Sequence, residues 1–169
     1  FDQLLYKYPN IKFIENPAYN EANNISSAMC VRYLLNNAYV CEGDILLHNP
    51  KIIQKYQYKS NYCGIKCDRT DDWCLFENKG RITGYAVGGE NCHQMMGISY
   101  WTEEDGKKLG DCIKKVYEMP GGKERYWDQV ALGYYVEDFD IAIRECSFDD
   151  FIEIDTFNEL KAIDKIYDV

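Results

Sequence analysis

The sequence predicts an α/β sandwich, a mixed and mostly parallel sheet flanked by helices. Short apolar runs with strand character alternate with segments whose apolar residues recur at helical spacing, the pattern of parallel strands joined through helices. From Asn61 to Val87 the texture changes to short strands and tight turns, which adds antiparallel pairs and makes the sheet mixed. No repeat, linker or low-complexity stretch divides the 169 residues, so residues 1–169 read as one domain, a length suited to a single core.

Taken in order, Ile11 to Ile14 reads as a short apolar strand closed by Asn16-Pro17. Asn23 or Asn24 caps a helix in which Ala28, Val31, Leu34 and Leu35 recur at helical spacing until Asn36-Asn37. Ala38 to Cys41 is a buried strand running into Glu42-Gly43-Asp44, completing a first β–α–β unit, and Pro50 opens another short helix. Tyr62–Cys67, Trp73–Glu77 and Arg81–Val87 are the short strands, with Asn78-Lys79-Gly80 as a hairpin turn and Gly88-Gly89 as a further turn. Gly97 to Trp101 is a strand. Thr102 then caps a helix whose buried stripe is Leu109, Cys112, Ile113 and Val116, and Pro120-Gly121-Gly122 breaks it. A helix over Gln129–Tyr135, strands Ile141–Glu145 and Phe151–Ile154, and a last helix opened by the capping box Thr156-Phe157-Asn158-Glu159 complete the chain.

A formal charge of −9 argues against nucleic acid and anionic membranes, both of which demand clustered Lys and Arg. No apolar run is long enough for a membrane span and no signal peptide is present, so the reading is a cytoplasmic protein. Among the eight cysteines no CxxC pair occurs. Cys30, Cys41, Cys112 and Cys146 sit in apolar stretches and read as small buried hydrophobes in a reducing compartment. His48 and His93 lack partners at metal-ligand or nucleophile spacing and receive no role.

Three places carry chemistry. In open α/β sheets ligands bind at the carboxyl ends of strands, which singles out Asp44; its carboxylate there suits a magnesium ion or a turn cap. In Phe151-Ile152-Glu153-Ile154-Asp155, strand alternation puts Glu153 and Asp155 on one face about 7 Å apart. Such a pair repels itself unless a cation or hydrogen-bond donors lie beside it, or unless it is simply a solvated edge. Tyr126-Trp127-Asp128, read as extended, projects Tyr126 and Asp128 together and buries Trp127. An aromatic face beside a carboxylate suits a quaternary ammonium, with Trp73 as a second wall; core packing is the competing reading of both tryptophans.

The ordered set Asn16-Pro17, Tyr19-Asn20, Asn23-Asn24-Ile25-Ser26-Ser27, Glu42-Gly43-Asp44, Gly97-Ile98-Ser99-Tyr100-Trp101, Tyr126-Trp127-Asp128 and Glu153-Ile154-Asp155 resembles the bacterial CTP:phosphocholine cytidylyltransferases, members of the sugar-phosphate nucleotidyltransferase superfamily. The resemblance implies a Rossmann-like nucleotidyltransferase fold in which phosphocholine attacks the α-phosphate of CTP, giving CDP-choline and pyrophosphate with Mg2+ as the required metal. It further implies that Asp44 and Asp155 hold the metal, that Trp73, Tyr126, Asp128 and Glu153 surround the choline head group, and that Asn24 and Ser26 lie near the nucleotide.

The family's N-terminal strand and glycine-rich loop, with its Arg and Lys for the phosphates, have no counterpart in these residues. Backbone amides of such a loop hold a triphosphate, so residues 1–169 read as the C-terminal portion of the full domain and are expected not to turn over CTP alone. Sheet edges left by that truncation invite a homodimer. A sugar-1-phosphate nucleotidyltransferase and a non-catalytic domain binding choline compounds are the alternative readings, because metal-binding aspartates do not distinguish acceptors.

Overall fold

In a computed structural model that describes residues 2–167, the longest elements are the two strands of one hairpin, β3 (Asn61–Asn78) and β4 (Arg81–Trp101). Lys79 and Gly80 join them with φ of 53° and 79°, the positive pair that matches the right-handed twist of a two-residue hairpin loop. Four further strands, β1 (Ala38–Cys41), β2 (Ile45–Leu47), β5 (Ala142–Glu145) and β6 (Phe151–Glu153), accompany them. The helices are α1 (Asp2–Lys7), α2 (Ile25–Val31), α3 (Glu103–Glu118) and α4 (Phe157–Ile163), with a π-helical turn at Val130–Tyr134.

The main sheet runs β1-β4-β3-β5, and β2 pairs with β6 in a separate two-stranded ladder. The sheet is mixed, as expected, but parallel pairing among the described strands is confined to β3 with β5. The parallel majority anticipated from the alternation is not found, because one long hairpin supplies the middle of the sheet and a hairpin is antiparallel by construction of its turn. The three short central strands, together with the Gly97–Trp101 strand, are merged into it. Gly88 and Gly89 lie within β4 and form no separate hairpin; Gly88, at φ 77°, stands near the register shift between Thr70 and Trp73. There Asp71 and Asp72 of β3 stand opposite Gly88 alone, and this bulge accompanies a curl of the hairpin in which Cys74 and Leu75 pair with Ala86 and Tyr85 on one side and with Gln94 and His93 on the other.

Two other expectations change. Residues 11–14 form no strand, so the first β–α–β unit keeps only its helix and its second strand. Strand form needs a neighbouring ladder, and β1 is the edge of the described sheet with no contribution from residues 11–14. The helix placed at Gln129–Tyr135 is the shorter π-helical turn, preceded by helical geometry at Gln129. The remaining helices stand close to where their signals put them. Thr102 accepts from the Asp105 backbone N–H at the start of α3, and Thr156 and Glu159 form the reciprocal capping box of α4.

Alternation along the strands divides the core. Tyr62, Leu75, Trp101 and Ile141 face α2, α3 and the π turn, where Leu109, Ile113 and Val116 of α3 are fully buried. Removing each such side chain from water stabilises the fold by about 1.5–3 kcal/mol. Cys63, Ile65, Met96 and Ile98 point to the opposite face, against Ile52 and Phe151. All eight cysteines are free thiols. Cys112 is buried as expected, whereas Cys30 and Cys146 are half-buried and Cys41 is exposed, since it ends the edge strand β1. Among the described residues no helix is long and apolar enough to cross a membrane.

Candidate active site

β1 delivers its last residue, Cys41, to the turn Glu42-Gly43-Asp44, and that turn is pinned from two sides. The Glu42 backbone N–H donates to the Gly97 carbonyl at 2.9 Å, and the Ile154 N–H donates to the Asp44 carbonyl at 2.9 Å. The register of β2 with β6 sets Ile45 opposite Glu153. Two chain segments distant in sequence therefore present their acids to one another. Carboxylate oxygens of Glu42, Asp44 and Glu153 all lie within 4.8 Å of each other.

The Glu42 side chain lies across the bare Cα of Gly97, where a Cβ would stand only 2.1 Å from Glu42 Oε2. Glycine at this strand position lets the carboxylate cross the backbone. Partial burial, then the charges of Asp128 and Asp44, pushes the Glu42 carboxyl up to about 7. Glu153 is also pushed up to about 7, by burial first and then by Asp155, Asp44, Glu42 and Asp72. Crowded anions with hard oxygen donors are what a divalent cation such as Mg2+ requires of a site.

Asp155 borders this trio: it is exposed, and its charge is the largest electrostatic contribution to Glu153 after burial. Its backbone N–H donates to Glu159 Oε2 at 2.9 Å, so the capping box of α4 orders the strand exit that carries it.

Trp73 and Tyr126 meet edge to face with ring centroids 5.4 Å apart, and Tyr85 stacks on Trp73 at 5.4 Å with 20° between planes. Tyr126 is 42% exposed, leaving an accessible aromatic corner. Asp72, the residue before Trp73, is the weakest of the charges that raise Glu153.

Tyr126 and Asp128 do not project together as an extended tripeptide would have them do. Trp127 is buried as expected, but the helical turn has already begun at Asp128, which is 5% exposed and accepts a 2.6 Å hydrogen bond from the Tyr62 hydroxyl. Side chains two residues apart in a helical turn point to nearly opposite sides, about 160° apart, so Tyr126 reaches solvent while Asp128 enters the core. Burial pushes the Asp128 carboxyl up to about 6.

At the start of α2, Asn24 accepts from the Trp127 N–H at 2.9 Å and lines a cavity of about 360 Å³ shared with Val31, Val40, Glu42 and Trp127. Ser26 is buried, its hydroxyl accepting from Asn16 at 2.8 Å and donating to the Asn23 carbonyl at 2.8 Å. Sequence reasoning did not single out Glu42, Tyr62 or Tyr85. Glu42 stood inside the quoted Glu42-Gly43-Asp44 motif, and the bare Gly97 beside it is visible only in three dimensions.

No family model matches the chain. It is 30% identical over 171 residues to the 2-aminoethylphosphonate cytidylyltransferase of Lancefieldella rimae, covering 99% of this chain and 69% of that protein. It is 25% identical to the choline-phosphate cytidylyltransferase of Haemophilus influenzae, covering 94% of this chain and 69% of that protein. The solved CTP:phosphocholine cytidylyltransferase of Streptococcus pneumoniae superposes with a TM-score of 0.84 at 24% identity, over 98% of this chain and 72% of that one. The inositol-1-phosphate CTP transferase of T. maritima shares the fold at a TM-score of 0.66 and 14% identity, over 99% of this chain and 69% of that one. With the nucleotidyltransferase fold, the paired acidic turns and relatives of this kind in place, the chain belongs to the cytidylyltransferase family of nucleotidyltransferases.

Proposed function

We propose that this cytidylyltransferase uses phosphocholine as its acceptor and requires Mg2+. A phosphocholine phosphate oxygen forms a bond to the α-phosphorus of CTP, the bond between the α-phosphorus and its bridging oxygen breaks, and pyrophosphate leaves as CDP-choline forms. The observation that carries the acceptor is the accessible edge-to-face corner of Trp73 and Tyr126, taken with the acidic group of Glu42, Asp44 and Glu153, whose Glu153 feels the charge of Asp72 next to Trp73. A trimethylammonium has no N–H to donate; it binds through ring faces and negative charge, and this corner supplies both. A sugar phosphate carries no cation and gains nothing from it.

Asp44 and Asp155 are the residues assigned to Mg2+; the converging oxygens of Glu42, Asp44 and Glu153 support Asp44, while Asp155 stands outside that group and bears on it through its charge on Glu153. Bound there, the ion would neutralise charge on the triphosphate. The protein's own part is positioning: Glu153 and the two rings hold the ammonium end so that the phosphate end lies in line with the leaving pyrophosphate. Asn24, on the cavity that opens beside Glu42, is assigned to the nucleotide side; Ser26 shares that assignment but does not line the cavity, being buried with its hydroxyl held by Asn16 and the Asn23 carbonyl.

A second reading has its own support. The relative at 30% identity acts on 2-aminoethylphosphonate, whose primary ammonium would be held by the same carboxylates. Steady-state kinetics of the full-length enzyme with phosphocholine, phosphoethanolamine, 2-aminoethylphosphonate and glucose-1-phosphate separate these. The highest kcat/KM for phosphocholine is the expected result; a higher value for 2-aminoethylphosphonate would replace the first reading with the second.

A further inference from the structure

The carboxamide of Gln129 closes a circuit around the aromatic corner. The Tyr126 backbone N–H, which can only donate, meets Gln129 Oε1 at 3.0 Å and so fixes which end of the amide faces it. The opposite end, Nε2, donates to the Tyr85 hydroxyl at 2.9 Å. Tyr85 stacks on Trp73, and Trp73 meets the ring of Tyr126. Four contacts thus join β3, β4 and the segment before the π turn into one closed loop.

The π turn adds an independent observation. A Cβ on Gly133 would approach Tyr85 Cε1 to 2.9 Å, so the Tyr85 ring rests against bare backbone. Tyr85 is held on its face by Trp73, at its edge by Gly133 and at its hydroxyl by Gln129. π-helical turns are rare and concentrate at functional sites, which agrees with a turn that backs the aromatic corner.

We infer that Gln129 is a positioning residue for the acceptor, acting through Tyr85 and the Tyr126 backbone to hold the two rings at the angle a trimethylammonium needs. This deepens the phosphocholine reading and rests on it. Cation–π attraction is steep in ring placement, so a brace that fixes the rings governs selection of a quaternary over a primary ammonium.

The test uses full-length enzyme carrying Gln129→Met, which fills similar volume without hydrogen bonds, and Gln129→Glu, whose carboxylate accepts from both the Tyr126 N–H and the Tyr85 hydroxyl. Gln129→Met is expected to raise the phosphocholine KM about tenfold, to leave the CTP KM and kcat within about twofold, and to narrow the preference for phosphocholine over phosphoethanolamine. Gln129→Glu restores the wild-type KM and preference. Tyr85→Phe, which removes a single hydroxyl, moves the KM in the same direction by about threefold and serves if Gln129→Met does not fold. The inference is overturned if Gln129→Met and Tyr85→Phe keep the wild-type acceptor KM, if acceptor and CTP KM rise together, or if Gln129→Glu is as impaired as Gln129→Met. The wild-type preference among acceptors tests the phosphocholine reading separately, and the Met and Glu contrast is run on whichever ammonium acceptor the wild type prefers.

Discussion

The Tyr62 hydroxyl donates a 2.6 Å hydrogen bond to Oδ1 of Asp128 inside the core, a polar link between the central strand β3 and the segment carrying Tyr126. Asp128 sits there at the cost of its ionisation, with its carboxyl raised from 3.8 to about 6 by burial and drawn back only in part by the Tyr62 bond. In the unfolded chain the carboxyl ionises near 4 and in the folded protein near 6, so the folded state retains the proton across that window. Its contribution to stability is therefore greatest at the acid end and falls as pH rises from about 4 to about 6, by about 3 kcal/mol in all.

Asp128→Asn keeps an oxygen to accept from Tyr62 and removes the titration. Denaturant unfolding at pH 4 and pH 7 should show the variant losing about 2 kcal/mol less than wild type between the two, and more stable than wild type at pH 7. An unchanged pH slope would show that Asp128 is ionised in the fold well below pH 6.

Asp44→Asn and Asp155→Asn should each raise the Mg2+ concentration for half-maximal turnover and lower kcat by on the order of a hundredfold. Glu153→Gln should act chiefly on the phosphocholine KM. A Mg2+ titration in which Glu153→Gln shifts more than Asp155→Asn would reassign the metal to the Glu42, Asp44 and Glu153 trio that converges in the fold.

Gly97→Ala places a methyl where Glu42 Oε2 now lies. The Glu42 carboxylate must move away from Asp44 and Glu153, with a several-fold higher Mg2+ requirement and a loss of about 1–3 kcal/mol in stability. Thermal unfolding together with the Mg2+ titration checks both, and a wild-type Mg2+ requirement would remove Glu42 from the site.

Leu109→Ala, in the fully buried stripe of α3, should destabilise by about 2–5 kcal/mol while leaving acceptor and nucleotide KM unchanged in the surviving folded enzyme. A selective rise in one KM would mean that α3 couples to the pocket.

Local signals made much of this architecture legible. The stripe Leu109, Cys112, Ile113 and Val116, the caps at Thr102 and Thr156, the Lys79-Gly80 turn and the strands at Ala38–Cys41 and Phe151–Glu153 all rest on near-neighbour preferences that a sequence displays directly. Residues 11–14 misled because strand form depends on a partner, and apolar content alone does not supply one. Gly88-Gly89 misled for a related reason: a bulge inside a long strand and a turn between two short ones ask for the same glycine.

At the site, local sequence supplies the chemical inventory: acids at the ends of two strands, aromatic residues, and an ordered set of motifs that resembles those of cytidylyltransferases. Which members meet is settled by the three-dimensional packing. Register between β2 and β6 brought Glu153 to Asp44, the bare Cα of Gly97 let Glu42 join them, the curl of the β3–β4 hairpin stacked Tyr85 on Trp73, and the early helical turn sent Asp128 inward to Tyr62. Those pairings come from contacts between residues tens of positions apart, which are set by packing and ladder register and leave no mark in local composition.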